Sequence, residues 1–216
     1  MSINKSLTIQ ETFNNAVKNH QEGKTEVAKE LYNRVLKIDP NHSQALKNIA
    51  IIFINLKDYQ KAKECYEKAI EIDPNSADAY YNLGIIFKEL KEYQKAKSCY
   101  EKADDIQPNN TIIQTNLGII FKDLGENQKA KDCYEKAIKI DPDNGKAHYN
   151  LGVIYKDSGE LQKAKICFKK VIEINPNEQE THNGLGIIFQ ELGEYQKAKE
   201  SYEKAIKIKP NYGDAY

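Results

Sequence analysis

Four thiols stand out as the side chains with the most chemistry in this chain: Cys65, Cys99, Cys133 and Cys167. Four cysteines can form two disulfides or a tetrahedral zinc site. Each of these follows the last by 34 residues, which puts them at the same point of successive structural units. Neighbouring helices lie ~8–10 Å apart, whereas a disulfide needs Cα atoms within ~7 Å. A row cannot gather four sulfurs around one ion. The cysteines therefore read as small buried thiols copied with the unit. Free thiols point to a reducing compartment, and so to a cytoplasmic protein.

The other reactive groups follow the same spacing. His148 and His182 are 34 residues apart and read as packed side chains rather than metal ligands. The sequence holds no Gly-rich phosphate loop, no HExxH and no nucleophile elbow. The expectation is a chain without catalysis and without a cofactor. A row of amides is more informative. Asn14, Asn48, Asn82, Asn116 and Asn150 recur at intervals of 34. A primary amide both donates and accepts, so a row of them can pair with an extended peptide backbone whatever its sequence. Three residues after each amide stands an aliphatic residue: Val17, Ile51, Ile85, Ile119 and Val153, with Ile187 in phase. Neutral hydrogen bonds net ~0.5–1.5 kcal/mol each, and micromolar affinity needs ~8 kcal/mol. Amides alone fall short of that, but amides beside buried isoleucines do not.

The elements that must carry these rows are set by the period itself. All six prolines, Pro40, Pro74, Pro108, Pro142, Pro176 and Pro210, are spaced by 34 residues. A period of that length marks a solenoid, a propeller or an array. With proline at position 32, six full repeats run over 9–42, 43–76, 77–110, 111–144, 145–178 and 179–212. Residues 1–8 are then a flexible lead-in, and 213–216 begin a seventh repeat. Such an end is expected either of a piece of a longer protein or of a chain that self-associates end to end through its C-terminal repeat.

Within a repeat the pattern predicts two helices. In the second, helix A covers roughly 44–56, with Leu46, Ile49, Ala50 and Phe53 at helical spacing. Helix B covers roughly 59–72 and stops before Pro74. Gly125, Gly159 and Gly193 fall in the intervening turn, where positive φ is easy. Asn75 and Ser76 are placed to cap the next helix. Glu64 with Lys68, Asp132 with Lys136 and Glu200 with Lys204 stand as i, i+4 pairs on a solvated face. Asp104 takes a position held elsewhere by Leu36, Ile70, Ile138, Ile172 and Ile206. It is expected to turn outward, because burying a carboxylate is costly.

Tyr80, Leu83, Gly84, Phe87, Ala96, Tyr100 and Pro108 resemble the signature of the tetratricopeptide-repeat family. The resemblance extends from Ile9 to Tyr212. It implies an all-α fold, a right-handed α-solenoid (superhelix) of helix-turn-helix units, and a concave face lined by helix A. It also implies that the amide and aliphatic rows meet a ligand there, through Asn48, Asn82, Asn116, Asn150, Ile51, Ile85, Ile119 and Val153. The asparagine ladder is similar to the repeat region of O-linked N-acetylglucosamine transferase, although it breaks at Gly184. The clamp by which some relatives grip acidic C-terminal tails is incomplete. Lys47 and Asn82 fit that clamp, but Ile51, Ile112 and Asn116 do not. The implied function is a protein-interaction scaffold for a peptide or helix. Its alternatives are a substrate-recruiting region of a larger enzyme, such as a glycosyltransferase, or a self-assembling structural subunit.

Charge is consistent with that reading. The chain has 32 basic and 32 acidic residues and no net charge, where a nucleic-acid binder should be basic. Arg34 is the single arginine. No stretch reads as a secretory signal or a membrane span.

Overall fold

A computed structural model describes residues 2–209, with side chains from residue 8 onward. The start of a seventh repeat at 213–216, and Pro210, lie outside the described residues. The chain divides into two compact units, Met1–Pro108 and Asn109–Tyr216. The first holds α1 (Ser2–Gln21), α2 (Thr25–Ile38), α3 (Ser43–Asn55), α4 (Tyr59–Ile72), α5 (Ala77–Glu89) and α6 (Tyr93–Ile106). The second holds α7 (Thr111–Asp123), α8 (Asn127–Ile140), α9 (Gly145–Asp157), α10 (Leu161–Ile174), α11 (Gln179–Glu191) and α12 (Tyr195–Ile208). Odd-numbered helices are the A helices and even-numbered ones the B helices. The fold is all-α, built as a solenoid of helix-turn-helix units. Within each unit every A helix packs on its own B helix, and α3, α5, α9 and α11 pack also on the B helix before them.

That double packing explains which residues the core takes. The sequence pattern picks out one stripe on helix A, carried by Leu46, Ile49, Ala50 and Phe53, of which the first three are buried and Phe53 is half-buried. A second stripe is buried as well. Ile52, Ile86, Ile120 and Ile188 are fully enclosed, and Ile154 nearly so. Ile52 joins the core of the preceding helix B, with Ala28, Tyr32 and Val35, a neighbour the single-stripe reading does not anticipate. Helix A thus keeps only a narrow face for solvent.

The turns are set by local chemistry. The residue two places before each helix B is left-handed throughout. Gly23, Gly125, Gly159 and Gly193 have φ of 72–78°, and Lys57 and Lys91 adopt 59° and 60°. A left-handed residue there ends helix A and satisfies its last carbonyls. At the other turn, Asp39, Asp73, Asp141 and Asn175 each accept the backbone N–H two residues on, bridging the proline. Gln107 stands at that place in the third repeat, one methylene longer, and there Asn109 turns to φ 70°.

Three expectations need correction. Helix α1 begins at Ser2, so the segment read as a lead-in is helical from there. Ser76 occupies the N-cap of α5 without capping it. Its hydroxyl instead donates to Asp78 and accepts from Lys47 Nζ. Capping side chains are supplied by His42, Asp58, Asn110 and Asn144. Asp104 is half-buried rather than turned out. Rotating α6 to expose it would unseat Tyr100 and Ala103, both fully buried. The solvated acids also find other partners. Glu64, Asp132 and Glu200 each accept from a glutamine one turn earlier, Gln60, Gln128 and Gln196.

Successive pairs in the second unit are tied by lysines that share a carboxylate and a ring. Lys131 of α8 and Lys163 of α10 lie 4.8 and 5.2 Å from the Tyr155 ring centroid. Both also bond to Glu160, at 2.9 and 2.5 Å. The joint recurs one pair later, where Lys165 and Lys197 flank Phe189 and meet Glu194. Lys163 and Lys131 together hold the Glu160 carboxyl down at about 2.

Two outcomes follow from these details. A left-handed non-glycine residue carries a strain of ~1–2 kcal/mol that glycine lacks, partly offset by glycine's greater freedom when unfolded. Lys91→Gly is therefore expected to raise the thermal midpoint by ~2–4 °C, and an unchanged or lower midpoint contradicts it. The second concerns acid. Glu160 sits below its ordinary value of 4.5 when folded, so its contribution is present above that pH and is lost as pH falls towards 2. The gap in urea midpoint between wild type and Glu160→Gln should be open at pH 7 and close across that window.

Candidate functional site

The exposed face of helix A carries the amide and aliphatic rows, one stretch in each unit. In the first unit, Asn48 and Ile51 lie on α3, with Asn82 and Ile85 on α5. In the second, Asn116 and Ile119 lie on α7, with Asn150 and Val153 on α9. Although helix A is packed on two sides, the aliphatic row stays reachable. Ile51 is 38% exposed, and Val17, Ile85, Ile119, Val153 and Ile187 are half-buried. Ile112, noticed in the sequence only for spoiling the clamp, is 58% exposed and lies one turn before Asn116 on the same face.

The amides are not equivalent. Asn82, Asn116 and Asn150 each donate Nδ2 to a carbonyl of their own helix, Asp78, Ile112 and Lys146, at 2.8–2.9 Å. Asn116 is also buried. Asn48 behaves differently: it donates to the Tyr32 hydroxyl at 3.2 Å and accepts from Gln44. Asn14 accepts from Gln10. A donor the sequence assigns to a ligand is therefore partly committed within the protein. What Asn82 and Asn150 keep towards solvent is chiefly the amide oxygen.

The break in the ladder at Gly184 has a structural cause. A Cβ on Gly184 would come within 2.7 Å of the Phe168 ring. Position 6 of one repeat thus abuts the position-24 ring of the repeat before. Where that ring is Tyr32, an asparagine follows and bonds its hydroxyl. Where it is Phe168, with no hydroxyl, a glycine follows. The hydroxyls of Tyr66 and Tyr134 are buried without a partner among the described residues, and Asn82 and Asn150 hold the matching places in the next repeats.

The remaining candidates for chemistry are absorbed by the fold. Burial pushes the Cys65 and Cys167 thiols up to about 11 and Cys99 up to about 12, leaving them protonated and unreactive at neutral pH. His148 and His182 face the backbone oxygens of Pro142 and Pro176, at 3.0 and 2.8 Å. Each pins the turn that precedes its own helix. Lys47 bonds Asp78 at 2.9 Å. Burial pushes the Asp78 carboxyl up, but Ser76 and Lys47 outweigh it and hold the carboxyl below its ordinary value. Among the described residues no three His, Cys, Asp or Glu side chains gather to hold a metal, and no helix is long and apolar enough to cross a membrane.

The family model described as the cilia and flagella-associated protein 70 C-terminal domain matches residues 6–215. No curated protein matches the sequence. Among solved structures the chain is similar to PilF of Pseudomonas aeruginosa, with 18% identity, a TM-score of 0.85 and coverage of 98% of this chain and 96% of that one. PilW, a type IV pilus biogenesis factor, gives 23% identity, a TM-score of 0.82 and 96% coverage of both chains. YrrB, a tetratricopeptide-repeat protein with an unusual peptide-binding site, gives 24% identity and a TM-score of 0.71, covering 85% of this chain and 95% of its own. At these identities the likeness is one of fold.

The Asn48–Tyr32 bond gives a measurable consequence. A double-mutant cycle with Asn48→Ala and Tyr32→Phe should show a coupling of ~1 kcal/mol in unfolding free energy. The same cycle at Asn82 and Tyr66, where the amide is turned to its own helix, should show almost none. Equal couplings at the two places would contradict the geometry.

Proposed function

The chain belongs to the family of the cilia and flagella-associated protein 70 C-terminal domain, a family of tetratricopeptide repeats, and from that premise we propose that it is a non-catalytic scaffold holding an extended segment or helix of a partner protein on the exposed face of its A helices. The contact residues in this reading are Asn48, Asn82, Ile51 and Ile85 in the first unit. In the second they are Asn116, Asn150, Ile119 and Val153. One observation carries it. An aliphatic row remains reachable on helices otherwise packed from two sides. Exposed apolar surface kept in a row marks an interaction site.

The geometry refines how such a partner is held. Each aliphatic side chain that a ligand covers returns up to ~1.5–3 kcal/mol, so the aliphatic row supplies most of the affinity. The amide oxygens of Asn82 and Asn150 then accept from backbone N–H groups of the ligand and set its register. Asn116, being buried, contributes to packing more than to contact. The reading places the protein in the cytoplasm, with a protein partner and no nucleic acid, and it leaves the cysteines and histidines without a catalytic part.

The test uses the full chain as bait, with captured protein identified by mass spectrometry and mapped by crosslinking. Ile85→Asp with Ile119→Asp should abolish capture of a partner that crosslinks to the A helices, with the circular dichroism spectrum unchanged. Asn82→Ala with Asn150→Ala should weaken it by about fivefold to a hundredfold, the worth of two net hydrogen bonds. Undiminished capture by the isoleucine variant refutes the proposed face.

A further inference from the structure

A second surface lies on the B helices of the second unit, away from the amide row. Position 22 faces solvent in every repeat, and it holds Glu30, Glu64, Ser98, Asp132 and Glu200. In the fifth repeat it holds Ile166, which is 68% exposed. Nothing in the helix requires an isoleucine there. Being β-branched, it is a slightly poorer helix former than the glutamate it replaces, and it presents apolar surface to water. Ile166 forms the rim of a cleft of about 360 Å³ between α8, α9 and α10, whose floor is Ile138, Leu151, Tyr155 and Cys167. Leu151, Tyr155 and Cys167 are themselves buried. A reachable aliphatic side chain thus continues into an apolar floor.

The charges around the cleft have one dominant sign. Helix α8 carries four lysines and two acids, and α10 four lysines and one glutamate. Lys139 lines the cleft, and Lys169 stands one turn beyond Ile166 on α10. Both are exposed, and neither has an ion pair among the described residues. Lys163 is engaged by Glu160, and Lys170 by Asp143. One acid lines the cleft, Glu135, which accepts from the Tyr155 hydroxyl at 3.1 Å and keeps its charge, so the excess of lysine rests on Lys139 and Lys169 together. The chain as a whole is neutral, so this local excess of lysine is a property of the surface.

We propose that the cleft between α8, α9 and α10 docks an acidic segment of a partner protein, whose aliphatic or aromatic side chain packs on Ile166 and Ile138 while its carboxylates meet Lys139 and Lys169. An apolar anchor with a charged rim is the usual anatomy of a protein–protein contact. Rim charges chiefly steer association and make it sensitive to salt. This surface is distinct from the face of the A helices and does not depend on it.

The experiment uses the full chain and a short fluorescein-labelled peptide with a Leu-Phe pair flanked by Asp and Glu, read by fluorescence anisotropy. The peptide should bind the wild-type protein and bind less tightly as salt rises. Ile166→Ser, which installs the residue type of Ser98, should weaken it about tenfold without changing the charge. Lys139→Gln with Lys169→Gln should weaken it and flatten the salt dependence. Asn82→Ala with Asn150→Ala should leave it unchanged. The proposal is overturned if the wild type does not bind, if Ile166→Ser binds equally well, or if a Lys-flanked version of the peptide binds as tightly. Sedimentation showing self-association that Ile166→Ser abolishes would assign the surface to a second copy of this chain, and that too overturns it.

Discussion

One contact sets the geometry of the repeat: an aromatic ring held between two successive A helices. Phe168 shows both sides of it. A Cβ on Gly152 would come within 2.6 Å of this ring, and one on Gly184 within 2.7 Å. Tyr32, Tyr66 and Tyr134 take the same place within their own units and are fully buried. A large flat side chain on helix B, met by a residue with little or no side chain on helix A, lets the backbones approach while the ring fills the gap. Close packing of this kind leaves little latitude, because interiors tolerate neither voids nor overlap. The ring therefore determines where helix A may sit, and with it which narrow face of helix A is left for solvent.

The same contact divides the asparagine row into two kinds of residue. An amide placed beside a tyrosine hydroxyl can bond it, as Asn48 bonds Tyr32, or turn to its own helix, as Asn82 and Asn150 do. A buried hydroxyl left without a partner costs free energy, so the second arrangement has an opposing term at Tyr66 and Tyr134. The amides thus serve the joint between repeats as well as any ligand. A ligand that accepts or donates at Asn82 acts on a side chain whose alternative partner lies in the repeat before.

Much of this was legible in the sequence, because the period is so regular. The span 59–72 for a B helix coincides with α4, since Asp58, the apolar spacing and Pro74 all mark its ends. Helix A begins and ends one residue earlier than the apolar spacing indicates, at Ser43–Asn55, because its N-cap is His42. The second buried stripe on helix A was not legible, since a pattern search finds one face and the helix has two neighbours. The candidate face was readable as a row of residue types. The direction of each amide was not, because it depends on whether a hydroxyl waits in the preceding repeat. The lysine joints at Tyr155 and Phe189 were also missed. Their signal, lysines at matching places in successive repeats and a glutamate before each helix B, was present but looked like solvated charge.

In a chain copied from one unit, departures from the period say more than the period does, and they can be sorted by whether a neighbour answers them. Gly184 departs from the asparagine row, and Phe168 answers it by losing the hydroxyl that an asparagine would bond. Gln107 departs from the row of Asp and Asn before proline, and Asn109 answers it with a left-handed backbone. Each pair restores a packed or satisfied local structure, so neither requires anything outside the chain. Ile166 has no such answer. Its own side chain is largely exposed, and the residue one turn on departs with it rather than offsetting it, Lys169 standing where Glu67, Glu101, Glu135 and Glu203 recur. A departure that the fold does not compensate is one whose reason lies with whatever touches that surface, and this separates Ile166 from the other irregularities of the repeat.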